Sequence, residues 1–133
     1  EQWDELYETA GSGQLEWKKC ILSCLNQQNH CVFVAVDHLG MIVGYIHGSF
    51  HLWPFSPFKV YGSLNTVAIR PVTQGQDIGK RLVRKLLDWF KLQKIQHISV
   101  HVDYRNQVAL SLYEKVGFQP YQHRLMLNLR NQI

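Results

Sequence analysis

The chain is poor in the features that mark unusual protein classes, and each shortage excludes something. It has three cysteines, Cys20, Cys24 and Cys31. An odd, sparse set gives no disulfide framework and reads as reduced thiols in a cytoplasmic protein. No apolar run is long enough to cross a membrane as a helix, so no membrane partner is expected. No segment is repeated, linker-like or of low complexity. Charge is modest: 14 Lys and Arg against 10 Asp and Glu give +4, with 18% charged residues overall. That balance leans slightly toward anionic ligands and falls short of a nucleic-acid signature. What is present is ordinary for one globular domain of 133 residues, 46% of them apolar.

The pattern alternates between elements. Trp3, Leu6 and Tyr7 stand at helical spacing before the break Gly11-Ser12-Gly13. Leu15, Cys20, Ile21, Cys24 and Leu25 give a second amphipathic helix within 14–28. Cys20 and Cys24 share one face of it, with His30 and Cys31 close by. A zinc site and a pair of small buried thiols both fit that spacing; the second is the commoner arrangement, and no metal is expected. Cys31–Val36 reads as a buried strand, Asp37–Gly40 as a hairpin turn and Met41–Phe50 as the return strand. The run H-L-W-P-F-S-P-F, His51 to Phe58, holds two prolines and cannot be a central strand. Its aromatics either line a pocket or cover a core edge.

Ser63–Ile69 reads as a strand, stopped by Pro71, and Ile78–Leu92 as the clearest helix. Ile78, Leu82, Val83, Leu86, Leu87 and Phe90 form its apolar stripe, and Lys80, Arg81, Arg84, Lys85 and Lys91 its basic face. That face lacks interleaved aromatics and reads as solvated, so no nucleic acid is expected. Residues 97–102 alternate as a strand, Asn106–Val116 is a helix closed by Gly117, and strands are expected from Phe118 onward and over Arg124–Leu129. The last of these is an edge able to pair with a second copy, hence a homodimer. The order describes a mixed α/β sheet with helices packed on it.

Two constellations carry chemistry. The loop T-Q-G-Q-D-I-G-K-R-L, Thr73 to Leu82, joins a strand to a helix. Its glycines and the unpaired N–H groups of a helix start suit a phosphate. Asp77 as an N-cap, worth about 1 kcal/mol over Ala, explains the same residues with no ligand. In the second, N-Q-V-A-L-S-L-Y-E-K-V-G-F, Asn106 and Tyr113 are seven residues apart. They fall within ~20° of one helix face and about 10 Å apart along the axis. They either face one elongated ligand or serve as a cap and a half-buried aromatic.

Together, V-A-I-R-P-V-T-Q-G-Q-D-I-G-K-R-L and the Asn106–Phe118 stretch resemble the GCN5-related N-acetyltransferase (GNAT) superfamily, over Leu64 to Phe118. The resemblance implies one GNAT-like domain over 1–133, α/β, with a mixed, mostly antiparallel central sheet flanked by helices. The family's first strand is not evident, which suggests that the sequence begins inside that domain. Acetyl-CoA is the implied donor and an amine of a small molecule or peptide the acceptor. The resemblance assigns backbone pairing with the pantetheine arm to Val67, Ala68 and Ile69. It assigns the pyrophosphate to the amides of Gln74, Gly75, Gln76, Asp77, Ile78, Gly79 and Lys80. Asn106 matches a contact to the CoA arm, and Tyr113 the general acid that protonates the leaving thiolate. Asp77 stands where the family usually has Gly, and its carboxylate is expected to turn away and cap the helix. Asn65 and Thr66 stand where many relatives carry a basic Glu. Neither can take a proton, so the base is sought among His101, Asp103 and His47. With Asp77, Asn65 and Thr66 departing from the pattern, a CoA-binding module with weakened catalysis is the other reading.

Overall fold

The structure is a computed structural model; it describes residues 27–52, 54–55, 59–71 and 77–131. The expected helices near the start, with Cys20 and Cys24, lie outside the described residues, as do residues 53 and 56–58 of the aromatic run.

Four strands form one sheet in the order β1 (His30–Val36), β2 (Ile42–Leu52), β3 (Val60–Ile69), β4 (Ile98–Val100). The first two pairs are antiparallel and β3–β4 is parallel. The turn between β1 and β2 forms where the sequence places it. Gly40 takes φ 81, and Asp37 Oδ1 accepts from the N–H groups of Leu39 and Met41, both at 2.9 Å. A parallel neighbour needs a crossover. Helix α1 (Ile78–Leu92) supplies it, and α2 (Gln107–Val116) follows β4.

One face of the sheet holds Phe33, Ile46, Leu64 and Val67, and α1 lies on it with Leu82, Val83, Leu86 and Phe90 buried. The helix can come down because the strands beneath are notched. A Cβ added to Gly48 would stand 2.7 Å from Leu86 Cδ1, and one on Gly62 2.6 Å from Phe90 Cε1. Ala109 and Tyr113 of α2 complete this core.

The strands expected after the second helix do not form. Residues 119–128 lie in no strand, and Leu129–Asn131 is a short 3-10 turn. A strand needs a partner to take its N–H and C=O groups, and β4 is only three residues long. Leu125 and Met126 bury little, at 89% and 81% exposed. Phe118 alone turns inward, edge-on to Tyr113 at 5.6 Å between centroids.

Candidate functional site

The crossover creates an opening. β3 pairs with β4 only through Gly62, Ser63 and Leu64, opposite Ile98, Ser99 and Val100. Beyond Leu64 the strands part, and β3 runs on to Ile69 beside β2 alone. At the parting β3 carries one extra residue: His47 faces Thr66 and Gly48 faces Leu64, so Asn65 is a bulge. Past it, pairing directions alternate. The Arg70 N–H bonds Val43 O at 2.8 Å, toward β2. Val67 and Ile69 therefore point their N–H and C=O to the open edge, while Ala68 turns its own to β2. A crevice beyond the C-terminal ends of parallel strands is where open α/β sheets take ligands.

The start of α1 stands at the end of that edge. Ile78, Gly79 and Lys80 are in the first turn and have no intrahelical acceptor for their N–H groups. The first backbone bond closes at Arg81, whose N–H reaches Asp77 O at 3.0 Å. Gly79 is buried, and a Cβ there would be 2.8 Å from Ile69 Cδ1 and 3.3 Å from Leu112 Cδ2. So the open strand, the first turn of α1 and the face of α2 meet at one point. Gln74, Gly75 and Gln76 lie outside the described residues. Asp77 adopts φ 58 and ψ 20, the left-handed region that Gly usually fills. Its carboxylate makes no cap bond, contrary to expectation. A side-chain cap uses extended backbone at this position, and the left-handed conformation aims the carboxylate elsewhere.

Asn106 does cap: its side chain accepts from the Ala109 N–H at 3.1 Å, leaving the amide nitrogen for other partners. Tyr113 is 3% exposed, and burial pushes its hydroxyl up to about 12. A phenol so placed keeps its proton at neutral pH and can give it to a stronger base. Of the residues weighed as base, Asp103 is tied to Arg105 by an ion pair of 2.8 Å, and that hydrogen bond holds it at about 2. His101 is exposed just past β4. His47 is 6% exposed, its Nε2 lies 3.0 Å from His30 Nδ1, and burial lowers the pKa of both rings.

Sequence reasoning missed the polar face on which His47 lies. His30, His47, Ser49 and His51 stand on the sheet side away from α1, with Tyr61 opposite His51 on β3. Ser49 is 1% exposed; it bonds His51 Nε2 at 2.8 Å and accepts from Asn65 Nδ2 at 2.9 Å. The alternation H-G-S-F-H, His47 to His51, was the available signal. A groove of about 340 Å³ lined by Arg84, Leu87, Asp88, Lys91, Lys115 and Val116 lies at the other ends of the two helices. It is remote from the crevice.

The sequence model of the acetyltransferase (GNAT) family matches residues 1–118. The chain is 38% identical over 90 residues to the N-alpha-acetyltransferase RimI of Mycobacterium tuberculosis, covering 68% of this chain and 53% of that protein. It is 32% identical over 85 residues to a mycothiol acetyltransferase of Renibacterium salmoninarum, covering 64% of this chain and 25% of that one. It thus spans about half or less of the length of these curated relatives. Two solved structures share the fold. One is an aminoglycoside acetyltransferase from a soil metagenome, with TM-score 0.69, 23% identity, and 83% and 71% of the two chains covered. The other is described as a transcriptional regulator from Bacillus halodurans, with TM-score 0.74, 21% identity, and 86% and 75% covered. The match over residues 1–118, on a sheet that opens beside a helix start, makes this chain a member of the GNAT family of acetyltransferases.

Proposed function

We propose that the chain moves an acetyl group from acetyl-CoA to a primary amine of a small molecule or peptide, by direct attack of the amine. The observation that carries this is the parting of β3 from β4 after Leu64, with the start of α1, where Asp77 makes no side-chain cap bond, at the end of the freed edge. The thioester arm lies along Val67–Ile69 as an added strand. The N–H groups of Val67 and Ile69 face it; one of them stabilises the oxygen charge that grows as the amine adds. The diphosphate sits on the amides of 74–80, with Lys80 and the helix dipole in support. Asn106 reaches the arm with its free amide nitrogen. Tyr113 supplies the proton for the departing sulfur. Positioning provides much of the rate, and no protein nucleophile is needed.

Among the three candidate bases, Asp103 fits worst, because its carboxylate is already committed to Arg105. One relative is named an N-alpha-acetyltransferase and another a mycothiol acetyltransferase, which supports an amine acceptor on a peptide or small molecule. The reading calls for acetyl-CoA and an amine, needs no metal, membrane or nucleic acid, and suits a cytoplasmic protein. Among the described residues, no helix is long and apolar enough to cross a membrane. For a homodimer we propose the exposed run Leu125–Leu127 as the contact.

The second reading, a CoA-binding module with weakened catalysis, draws on Asp77 in a left-handed conformation beside the diphosphate and on the absence of a basic side chain at Asn65 and Thr66. Calorimetry with acetyl-CoA and thiol release over a panel of amines separate the two. Binding with thiol release supports the transferase, and binding without it the module. No heat and no thermal upshift at millimolar acetyl-CoA would end both.

A further inference from the structure

The polar face of the sheet contains a chain of hydrogen bonds that runs from Asn65 through Ser49 to His51. Asn65 Nδ2 donates to Ser49 Oγ at 2.9 Å. An amide nitrogen only donates, so the Ser49 hydroxyl proton is free to go to its other partner, His51 Nε2, at 2.8 Å. Ser49 is 1% exposed, and a buried hydroxyl keeps its partners. In this arrangement the NH2 of Asn65 faces Ser49, and its Oδ1 is the end of the amide not bonded to Ser49. Asn65 itself is exposed. It is also the bulge residue immediately after Leu64, the last β3 residue paired with β4. Its side chain therefore starts at the vertex of the crevice, where the freed edge of β3 begins.

We propose that Asn65 Oδ1 accepts an N–H of the incoming amine and aims its lone pair at the thioester carbonyl, with Ser49 and His51 as positioning residues that hold the amide in that sense. The inference rests on the transferase reading and names the acceptor end of the same site. A neutral acceptor suits this step. The nitrogen keeps one N–H on Asn65 while its lone pair forms the C–N bond. The C–S bond breaks, the sulfur takes the Tyr113 proton, and the proton shed by nitrogen leaves to water, from which Tyr113 is replenished. Asn65 and Ser49 neither gain nor lose a proton. His47 is not placed for this role, since its Nε2 is turned to His30 and the ring is buried.

The test uses acetyl-CoA with an alanine-initiated peptide, glucosamine and kanamycin, following whichever amine turns over fastest. Asn65→Ala, Ser49→Ala and His51→Leu should each lower kcat/KM for the amine by about tenfold, the size of one hydrogen bond, with the dissociation constant of acetyl-CoA unchanged. His51→Gln, whose side-chain oxygen can still accept from Ser49, should recover most of the His51→Leu loss. Unchanged amine kinetics in Asn65→Ala, or a parallel loss of acetyl-CoA binding in all variants, would overturn the proposal and leave the transferase reading standing. A parent protein that binds no acetyl-CoA would instead remove the reading on which the proposal depends.

Discussion

The two helices that follow the parallel strands begin in opposite ways. α2 starts at Asn106, whose side chain caps the Ala109 N–H. α1 starts at Asp77, in a left-handed conformation with no side-chain cap, and carries Lys80 and Arg81 in a first turn that has no acid. By the rules of helix stability α2 is well begun and α1 poorly begun. On the proposed reading, the difference separates a start that is satisfied within the chain from one whose amides serve an anion. An acidic cap on α1 would satisfy the amides that an anion needs. The lack of an Asp77 side-chain cap costs a little stability and, on the proposed reading, leaves those amides to a diphosphate.

The comparison can be broken at several points. The largest effect is expected beyond the cap of α2. Tyr113→Phe should lower kcat by roughly 100-fold, the lower end for a lost general acid, with acetyl-CoA affinity unchanged by calorimetry. Because burial holds this hydroxyl near 12, no alkaline fall in rate below about pH 10 should trace to it. If Tyr113→Phe turns over like the parent, α2 carries structure alone.

Next comes Gly79→Ala. Its Cβ would sit 2.8 Å from Ile69 Cδ1, pressing the first turn of α1 away from the open strand. A loss of about 1–2 kcal/mol in stability is expected, together with weaker acetyl-CoA binding; tight binding that survived would detach the site from this helix start.

Asn106→Ala should cost about 1 kcal/mol of stability, read as a lower midpoint in urea. Acetyl-CoA affinity should fall as well, since the amide nitrogen is proposed to reach the arm; unchanged affinity would confine Asn106 to its cap. The smallest change is expected from Asp77→Gly. It relieves the left-handed strain and removes a carboxylate, so stability should rise by about 0.5–1 kcal/mol and acetyl-CoA should bind a few-fold tighter. Looser binding would show that the carboxylate helps to hold the loop.

Some of this could be read from the chain. The stripe Leu82, Val83, Leu86, Phe90 has helical period, and α1 buries those residues. Asp37 to Gly40 forms the turn that its residue types require. Asn106 and Gly117 bound α2 as cap and left-handed stop. The polar chain through Ser49 was not readable, because its members come from β2 and the bulge of β3, sixteen residues apart for Ser49 and Asn65. Asp103 looked available as a base until Arg105, two residues on, closed upon it.

Local choices were thus determined by the sequence itself: where helices begin and end, which stripe is apolar, and the motifs that announce the family. These depend on neighbours within about a turn, whose spacing is fixed by covalent geometry. The tertiary structure alone decided that β3 leaves β4 after Leu64, that Asn65 becomes the bulge at that vertex, and that the expected strands beyond Phe118 stay unformed. Strand pairing is a contest among segments far apart in the chain. Its outcome follows from which partner can take each N–H and C=O, and no local pattern records it.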